Sequence, residues 1–430
     1  MLGMTRYQWT VLFAAWLGWG FDIFDSLLFN FVAPNCIPDL LGLQPGSAAA
    51  RAATLQWTGV LTSLLLIGWA AGGVLFGYIG DRLGRTRTLM LTMLMYALGT
   101  AACAFAPNLW VLIVFRVIAS LGIGGEWAAG ASMVAEVMPE KRRVEAGVLL
   151  YTAASVGLFL ATGLNYLVAG HWFPDEPQKS WRYLFLFGLV PAVVAFAVRA
   201  FVREPERWQQ VTDHSRVRLR EIFTGPLRRI TLWGTFVTVI ALVTWWSSNA
   251  FITAVATGLA RTEAGVRGLA ESATLALVEN WKLQANMYFN FGGLLGTLLV
   301  IPLARALTRR KLFALYLAAS SVAVLTSFGL DMPPETRLKM YFVIGVPVFG
   351  IFGAFPFYLP ELFPTRVRAT GSGFCYNIGR LIAAAGPFIV GNVAAQGAAL
   401  NAIFYVGFVP LIGLLFAPFF IETRGKVLED

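Results

Sequence analysis

The sequence predicts an all-α membrane protein: twelve transmembrane helices in two six-helix halves, with both termini on the cytoplasmic side. Three observations carry this. The chain is 57% hydrophobic and 13% charged, about half the charged share of a soluble domain. So few charges would not cover a water-soluble protein of 430 residues. Apolar runs recur at about the 20 residues that a spanning helix needs, and the cations alternate with these runs from one side to the other.

The first run, residues 9–34, follows a short start that carries only Arg6. It is too long for the apolar core of a signal peptide and contains Asp22 and Asp25, so it reads as a membrane span. Further runs fall at 57–79, 88–106, 109–137, 145–169 and 181–201. Six more fall at 229–256, 281–304, 311–329, 340–360, 370–391 and 399–421. In hydrocarbon every backbone N–H and C=O must be paired within the protein, so each run is expected to be helical. The largest polar break, 203–228, lies near the midpoint. It is expected to be a cytoplasmic linker between an N-terminal bundle, 1–202, and a C-terminal bundle, 229–430.

With the N-terminus inside, 23 of the 33 Lys and Arg fall on inner segments and 8 on outer ones, among them Lys179, Arg261 and Lys282. This matches the positive-inside rule. It also explains the net charge of +10 without a nucleic-acid partner. Arg116 and Arg380 are left within spans, together with the acids Asp22, Asp25 and Glu126; Glu136 and Glu361 sit at inner helix ends.

Catalytic chemistry finds little support. Cys36, Cys103 and Cys375 form no metal-ligand spacing, and the two histidines, His171 and His214, fall in polar stretches. No phosphate-binding Gly-rich Lys motif is present. The expectation is a protein that is not an enzyme and uses no cofactor and no metal. An internal repeat points to transport instead. Glu136-Val-Met-Pro139 followed by Arg143 recurs as Glu361-Leu-Phe-Pro364 followed by Arg368, offset by 225 residues. Two halves of like topology are the signature of a carrier that opens alternately to each side.

These residues resemble the major facilitator superfamily along nearly the whole chain. Gly77-Tyr-Ile-Gly-Asp81-Arg82-Leu-Gly-Arg85-Thr-Arg87 is similar to its signature between helices 2 and 3, and Arg116 to Gly125 resembles its helix 4 motif. Arg203-Glu-Pro-Glu-Arg-Trp208 and Glu422-Thr-Arg-Gly-Lys426 resemble sugar porters. Pro360 to Gly371 and Tyr376-Asn-Ile-Gly-Arg380 resemble metabolite:proton symporters. Asp22-Ile-Phe-Asp25 is similar to the D-x-x-D of proton-coupled organic-acid carriers, with the sialate/lactate and the aromatic-acid and nicotinate symporters nearest. The Gln pair of sugar porters in the seventh span is replaced by Trp245-Trp-Ser-Ser-Asn249. The resemblance implies that Asp81, Arg82 and Arg85, with Glu136, Arg143, Glu361 and Arg368, form an inner salt-bridge network that closes the cytoplasmic gate. Topology and loop capping would account for the cations alone, but not for acids at repeated positions.

Asp22 and Asp25, three residues apart, lie near one face of a helix. An ionised carboxylate at mid-membrane costs about 2.5–3.5 kcal/mol, so each needs a partner, a proton or water. Proton coupling is expected at Asp22, nearer the centre, with Asp25 and Glu126 as further candidates. The plainer alternatives are an acid that only shapes the cavity and, for Glu126, a bond to a helix end or a hydroxyl. Arg116 is expected to partner an acid of the first span, either tuning its protonation or forming a structural salt bridge. Arg380 is the expected substrate anchor, because guanidinium offers a planar fork to a carboxylate. A standing pair with Glu361 is the alternative. Asn377, one turn from Arg380, Tyr376 beside it and Asn249 complete the expected substrate set. Ser247, Ser248, Asn286 and Asn290 read more simply as interhelical hydrogen bonders.

The expected function is therefore secondary active transport: proton-coupled symport of a small organic anion, a monocarboxylate such as lactate or pyruvate or a related organic acid. A sugar or polyol carrier of sugar-porter type is the alternative. The partners are the anion, the proton and the lipid bilayer. The protein is expected to act as a monomer in a bacterial inner membrane.

Overall fold

Thr5 opens the first helix with a reciprocal cap. Its hydroxyl accepts the Gln8 N–H at 3.2 Å, while its own N–H donates to the Gln8 side chain at 2.9 Å. This satisfies two of the end groups that a helix leaves unpaired. The structure, a computed structural model, describes residues 4–83, 85–124, 134, 138, 142–190, 193, 219–364 and 367–425.

The helices of the first half are α1 (Arg6–Leu41), α2 (Ala48–Leu83), α3 (Arg85–Cys103), α4 (Leu109–Gly124), α5 (Arg143–Leu167) and the short α6 (Ser180–Leu186). The second half has α7 (Gly225–Asn249), α8 (Ile252–Arg267), α9 (Glu271–Ala306), α10 (Arg309–Gly329) and α11 (Pro334–Gly350). These are followed by α12 (Phe355–Leu362), α13 (Arg368–Ala383), α14 (Ala385–Val393), α15 (Ala399–Val406) and α16 (Val409–Phe416). Among the described residues nine helices are long and apolar enough to cross a membrane, with two shorter apolar helices, Met90–Cys103 and Leu109–Gly124. Several spans are segmented. The run Gly225–Arg267 is 43 residues long and breaks between α7 and α8 at Ala250 and Phe251. At about 1.5 Å per residue, the 36 residues of α1 or α9 exceed a hydrocarbon core of about 30 Å, so they must tilt or project beyond it.

Two helix starts differ from the apolar runs. α7 begins at Gly225, inside the expected linker, after a 3-10 turn at Leu219–Phe223; positions 203–218 of that linker lie outside the described residues. α9 begins at Glu271, ten residues before the apolar run. Its first turns, Glu271-Ser-Ala-Thr-Leu-Ala-Leu-Val-Glu-Asn280, are good helix formers that carry too many polar groups to register as hydrophobic.

In the first half α1 packs on α5, and α2 and α3 pack on α4. In the second, α9 and α10 pack on α11, and α7 packs on α13. Small residues allow the closest approaches, as between membrane helices generally. A Cβ on Gly157 of α5 would lie 2.2 Å from the Gly20 carbonyl of α1, and one on Gly296 of α9 would lie 1.8 Å from the Val346 carbonyl of α11. The halves meet where α5 touches α9 and where α2 touches α13 and α14.

This meeting surface is tied at both ends. At one end the Ser63 hydroxyl donates to the Ala384 carbonyl at 2.6 Å, and the Thr253 hydroxyl donates to the Asn30 carbonyl. At the other, Glu145 of α5 pairs with Arg305 of α9. The polarity is that of a membrane protein. Phe105, Trp110, Tyr405 and Leu415 are exposed, while Asp22, Asp25, Arg116, Glu279, Lys282 and Arg380 are buried.

Candidate functional site

α1 delivers two carboxylates into the interior, both with no exposed surface. Three residues of helix turn through about 300°, so Asp22 and Asp25 point some 60° apart, and that difference sorts them. Asp25 belongs to the first half. The Thr100 hydroxyl of α3 donates to its Oδ2 at 2.8 Å, and Arg116 of α4 donates to the Thr100 oxygen at 3.3 Å. Arg116 also donates to the Ser26 carbonyl at 3.1 Å and lies 6.0 Å from the rings of Phe29 and Phe185. The expected pairing of Arg116 with an acid of the first span is thus found at Asp25, as a charge interaction bridged by Thr100.

Asp22 faces the meeting surface instead, within electrostatic reach of Arg380 of α13. The Arg380 guanidinium lies over the Trp69 ring of α2 at 4.0 Å and over the Tyr376 ring at 4.5 Å. It donates to Asn377 Oδ1 at 3.2 Å and is hydrogen-bonded to Tyr376, which is in turn hydrogen-bonded to Tyr151 of α5. Of the expected substrate set, Arg380, Asn377 and Tyr376 come together. Asn249 is buried at the end of α7, outside these hydrogen bonds.

Aromatic rings from both halves close the chamber. Trp19 lies 6.0 Å from Tyr151 and 6.4 Å from Trp69, and Trp69 meets Trp246 of α7 edge-on at 5.9 Å. Tyr151 stacks on Phe352 at 5.9 Å, and Trp245 lies 4.6 Å from Trp246. Chemically this is one buried cation and one buried carboxylate among aromatic rings, each contributed by a different half. Cation–π contact stabilises a desolvated guanidinium by about 2 kcal/mol, while its fork remains suited to a planar anion.

The residues expected at the inner helix ends form a separate group. Glu361 is held by Arg309, at 3.1 and 3.2 Å through its two oxygens, and accepts from Thr423 at 2.6 Å. Arg309 therefore takes the place that Arg380 would need for a standing pair with Glu361. Arg368 donates to the Pro360 and Phe363 carbonyls at 3.2 and 3.3 Å. Outside the membrane spans, burial pushes the Glu422 carboxyl up, but the backbone N–H groups of Arg309, Arg424 and Arg310 outweigh it and hold it below its ordinary value. Glu126 and Glu136 lie outside the described residues, as do the side chains of Asp81, Arg82, Arg85 and Arg143.

Sequence reasoning missed Trp69 and Tyr151, whose residue types read as packing inside apolar spans. A signal for Tyr151 existed: the offset of 225 that relates Glu136 to Glu361 also relates Tyr151 to Tyr376. It missed a second buried pair as well. Lys282 donates to Glu279 at 2.6 Å, both nearly inaccessible, and Asn165 of α5 donates to Glu279 from across the meeting surface at 3.4 Å. Counting Lys282 as an outer-loop cation hid this.

A polytopic helical protein that buries ionisable groups where its two halves meet belongs among the membrane transporters. Residues 9–387 match the Major Facilitator Superfamily, and the chain belongs to it and is a membrane transporter. Among curated relatives it is 28% identical to the "Probable 4-methylmuconolactone transporter" of Cupriavidus pinatubonensis, over 98% of this chain and 92% of that one. It is 24% identical to the gentisate transporter of Corynebacterium glutamicum, over 91% and 83%. Its fold is similar to that of the proton:xylose symporter XylE bound to 6-bromo-6-deoxy-D-glucose. That match has a TM-score of 0.75 at 18% identity and covers 99% of this chain and 98% of the other.

Proposed function

We propose that the protein is a proton-coupled symporter of a small organic anion, with the carboxylate on Arg380 and the proton on Asp22. The observation that carries this is the position of Arg380, buried over the Trp69 ring of the other half at 4.0 Å, with the buried Asp22 of that half within electrostatic reach. An empty chamber holding ionised Asp22 and Arg380 is neutral. A substrate carboxylate arriving alone would leave one excess negative charge in a dry site, and an unpaired buried charge costs several kcal/mol. A proton on Asp22 restores neutrality. Substrate and proton then enter and leave together, and the carrier rocks either empty or doubly loaded.

The aromatic walls favour a flat, unsaturated or aromatic acid over lactate or pyruvate within the organic-acid class, because ring faces stack on ring faces. The gentisate relative agrees with that preference. The xylose symporter likeness, at 18% identity, speaks to fold alone, and the sugar-porter-like segments Arg203–Trp208 and Glu422–Lys426 include none of the residues of the Arg380 site. Asn377 and Tyr376 orient the anion, and Asn249 lines the chamber further out. Asp25 and Glu126 are reserve proton sites on this reading. Asp81, Arg82, Arg85, Glu136, Arg143, Glu361 and Arg368 form the inner gate. Twelve spans in two bundles, 1–202 and 229–430, joined by the linker 203–228, with both termini cytoplasmic, a monomer in a bacterial inner membrane, complete the proposal.

The test is uptake into proteoliposomes of labelled benzoate, nicotinate, gentisate, lactate and glucose, with and without an inward proton gradient. Gradient-driven accumulation of an acid, abolished by a protonophore, is expected. Glucose uptake without acid uptake would overturn the reading and leave Arg380 as a structural residue.

A further inference from the structure

The second-half surface carries a feature that transport does not use. A groove of about 550 Å³ opens where the start of α7 meets the last helix, lined by Arg228, Arg229, Leu232, Trp233, Phe236 and Phe416. A single water occupies about 30 Å³ of liquid, so the groove has room for a chain. Its floor is aromatic. Trp233 stacks on Phe419 at 5.5 Å with planes 8° apart and lies 5.6 Å from Phe236 and 6.1 Å from Phe416. Leu232 and Phe416 are exposed on its lips, facing outward where hydrocarbon would be.

The cations at its mouth are unlike their neighbours. At this end of the molecule Arg305 pairs with Glu145, Arg309 with Glu361, Arg310 donates to the Phe420 carbonyl and Arg424 to the Ala306 carbonyl. Arg228 and Arg229 are both exposed, and no acid among the described residues pairs with either. Two exposed guanidiniums lining an apolar, aromatic groove match one ligand chemistry: a phosphodiester headgroup with a net negative charge, joined to an acyl chain. Guanidinium binds phosphate oxygens in a bidentate fork, and an indole at the edge of the apolar layer is at home beside a headgroup.

We propose that this groove is a binding site for an anionic phospholipid, with the phosphate on Arg228 and Arg229 and one chain along Trp233 and Phe416. α7 runs on from these arginines to Trp245 and Trp246 of the chamber, so the lipid clamps the starting end of a helix that walls the transport site.

The experiment uses the purified full-length transporter in detergent, titrated with phosphatidylglycerol or phosphatidylcholine of matched chains and read by native mass spectrometry. Retention of phosphatidylglycerol at concentrations on the order of tenfold below phosphatidylcholine is expected, since each basic residue near a membrane surface favours anionic lipid. Arg228→Gln/Arg229→Gln should bring the two lipids level. Arg6→Gln/Lys311→Gln, which removes the same charge from exposed positions elsewhere, should leave the preference intact. Thermal unfolding of both variants checks that they are folded. Equal retention of the two lipids by the natural protein, or equal loss in both double variants, would overturn the proposal. Displacement of the lipid by excess inorganic phosphate would reassign the arginines to a soluble anion and overturn it too.

Discussion

Asp22 and Asp25 sit one turn apart on α1 and are equally buried, but different bundles supply their partners. Asp25 is enclosed by the first half alone, through Thr100 of α3 and Arg116 of α4. Asp22 lies within electrostatic reach of Arg380 of the second half, whose guanidinium is covered by Trp69 and whose hydrogen-bond partner Tyr376 is joined to Tyr151. On the proposed alternating mechanism, a contact within one bundle survives when the halves rock, and a contact between them is made and broken in each cycle. The difference teaches that burial and charge alone do not mark a transport residue. What marks it is whether its partner moves relative to it.

The sharpest way to break this comparison is to remove the cation that spans the halves. Arg380→Ala is expected to lower uptake at least 100-fold, because the substrate loses a buried charge-assisted fork and Asp22 loses a nearby positive charge, together worth several kcal/mol. Arg380→Lys keeps the charge without the fork and should raise the half-saturation concentration more than it lowers the maximal rate. Full transport by Arg380→Ala, measured in proteoliposomes, would remove the centre of the reading.

Next in size is the contrast between the two acids. Asp22→Asn should abolish accumulation against a gradient while preserving exchange of labelled for unlabelled substrate, since a permanently neutral side chain mimics the protonated state. Asp25→Asn should retain coupled transport but lower the thermal stability of the purified protein, by on the order of 3 kcal/mol, because Arg116 then loses its buried counter-charge. If Asp25→Asn uncouples and Asp22→Asn merely destabilises, the two roles are reversed and the proton travels within the first half.

Much of this arrangement is legible in the amino-acid sequence. Charges inside apolar runs stand out because the membrane makes them costly, so Asp22, Asp25, Arg116 and Arg380 are visible there, and Asn377 follows from helical spacing. Less visible is which acid faces which bundle, because three residues of spacing leave a 60° ambiguity that only packing resolves. Trp69 and Tyr151 carry no charge, so their burial costs far less than that of an ion and gives no signal by composition. Glu279 and Lys282 are hidden for a different reason. The first turns of α9 are too polar to register as membrane helix, although Glu279 within them is buried and accepts from Asn165 of α5.

A smaller effect tests the roof of the chamber. Trp69→Leu keeps an apolar wall but removes the ring face 4.0 Å from the Arg380 guanidinium. Affinity for an aromatic carboxylate is expected to fall about tenfold, in line with about 1–2 kcal/mol for a desolvated cation–π contact. Affinity for a small aliphatic acid should fall less. An equal loss for both would mean that Trp69 serves Arg380 alone and does not face the substrate.

The smallest expected effect separates the chamber from the inner-end network. Glu422 accepts the backbone N–H groups of Arg309 and Arg310 at 2.9 and 3.2 Å, which tie the end of the last span to the start of α10. Burial raises its carboxyl, and those bonds with the Arg424 N–H pull it below the ordinary 4.5. A carboxyl whose folded value is lowered contributes stability that is present above the unfolded value and lost as pH falls through the folded one. The natural protein should therefore melt higher than Glu422→Gln near neutral pH, by under about 1 kcal/mol for so exposed a group. The gap should begin to narrow as the pH falls past about 4.5 and close below the lowered folded value. Melting curves of the two proteins in detergent at matched ionic strength measure that gap. Since Glu422 lies outside the chamber, uptake at neutral pH should be unchanged in Glu422→Gln. A parallel loss of proton-driven uptake would show that the inner ties and the chamber are coupled, and the distinction between contacts that hold a bundle together and contacts that cycle would then have to be redrawn to include the inner end.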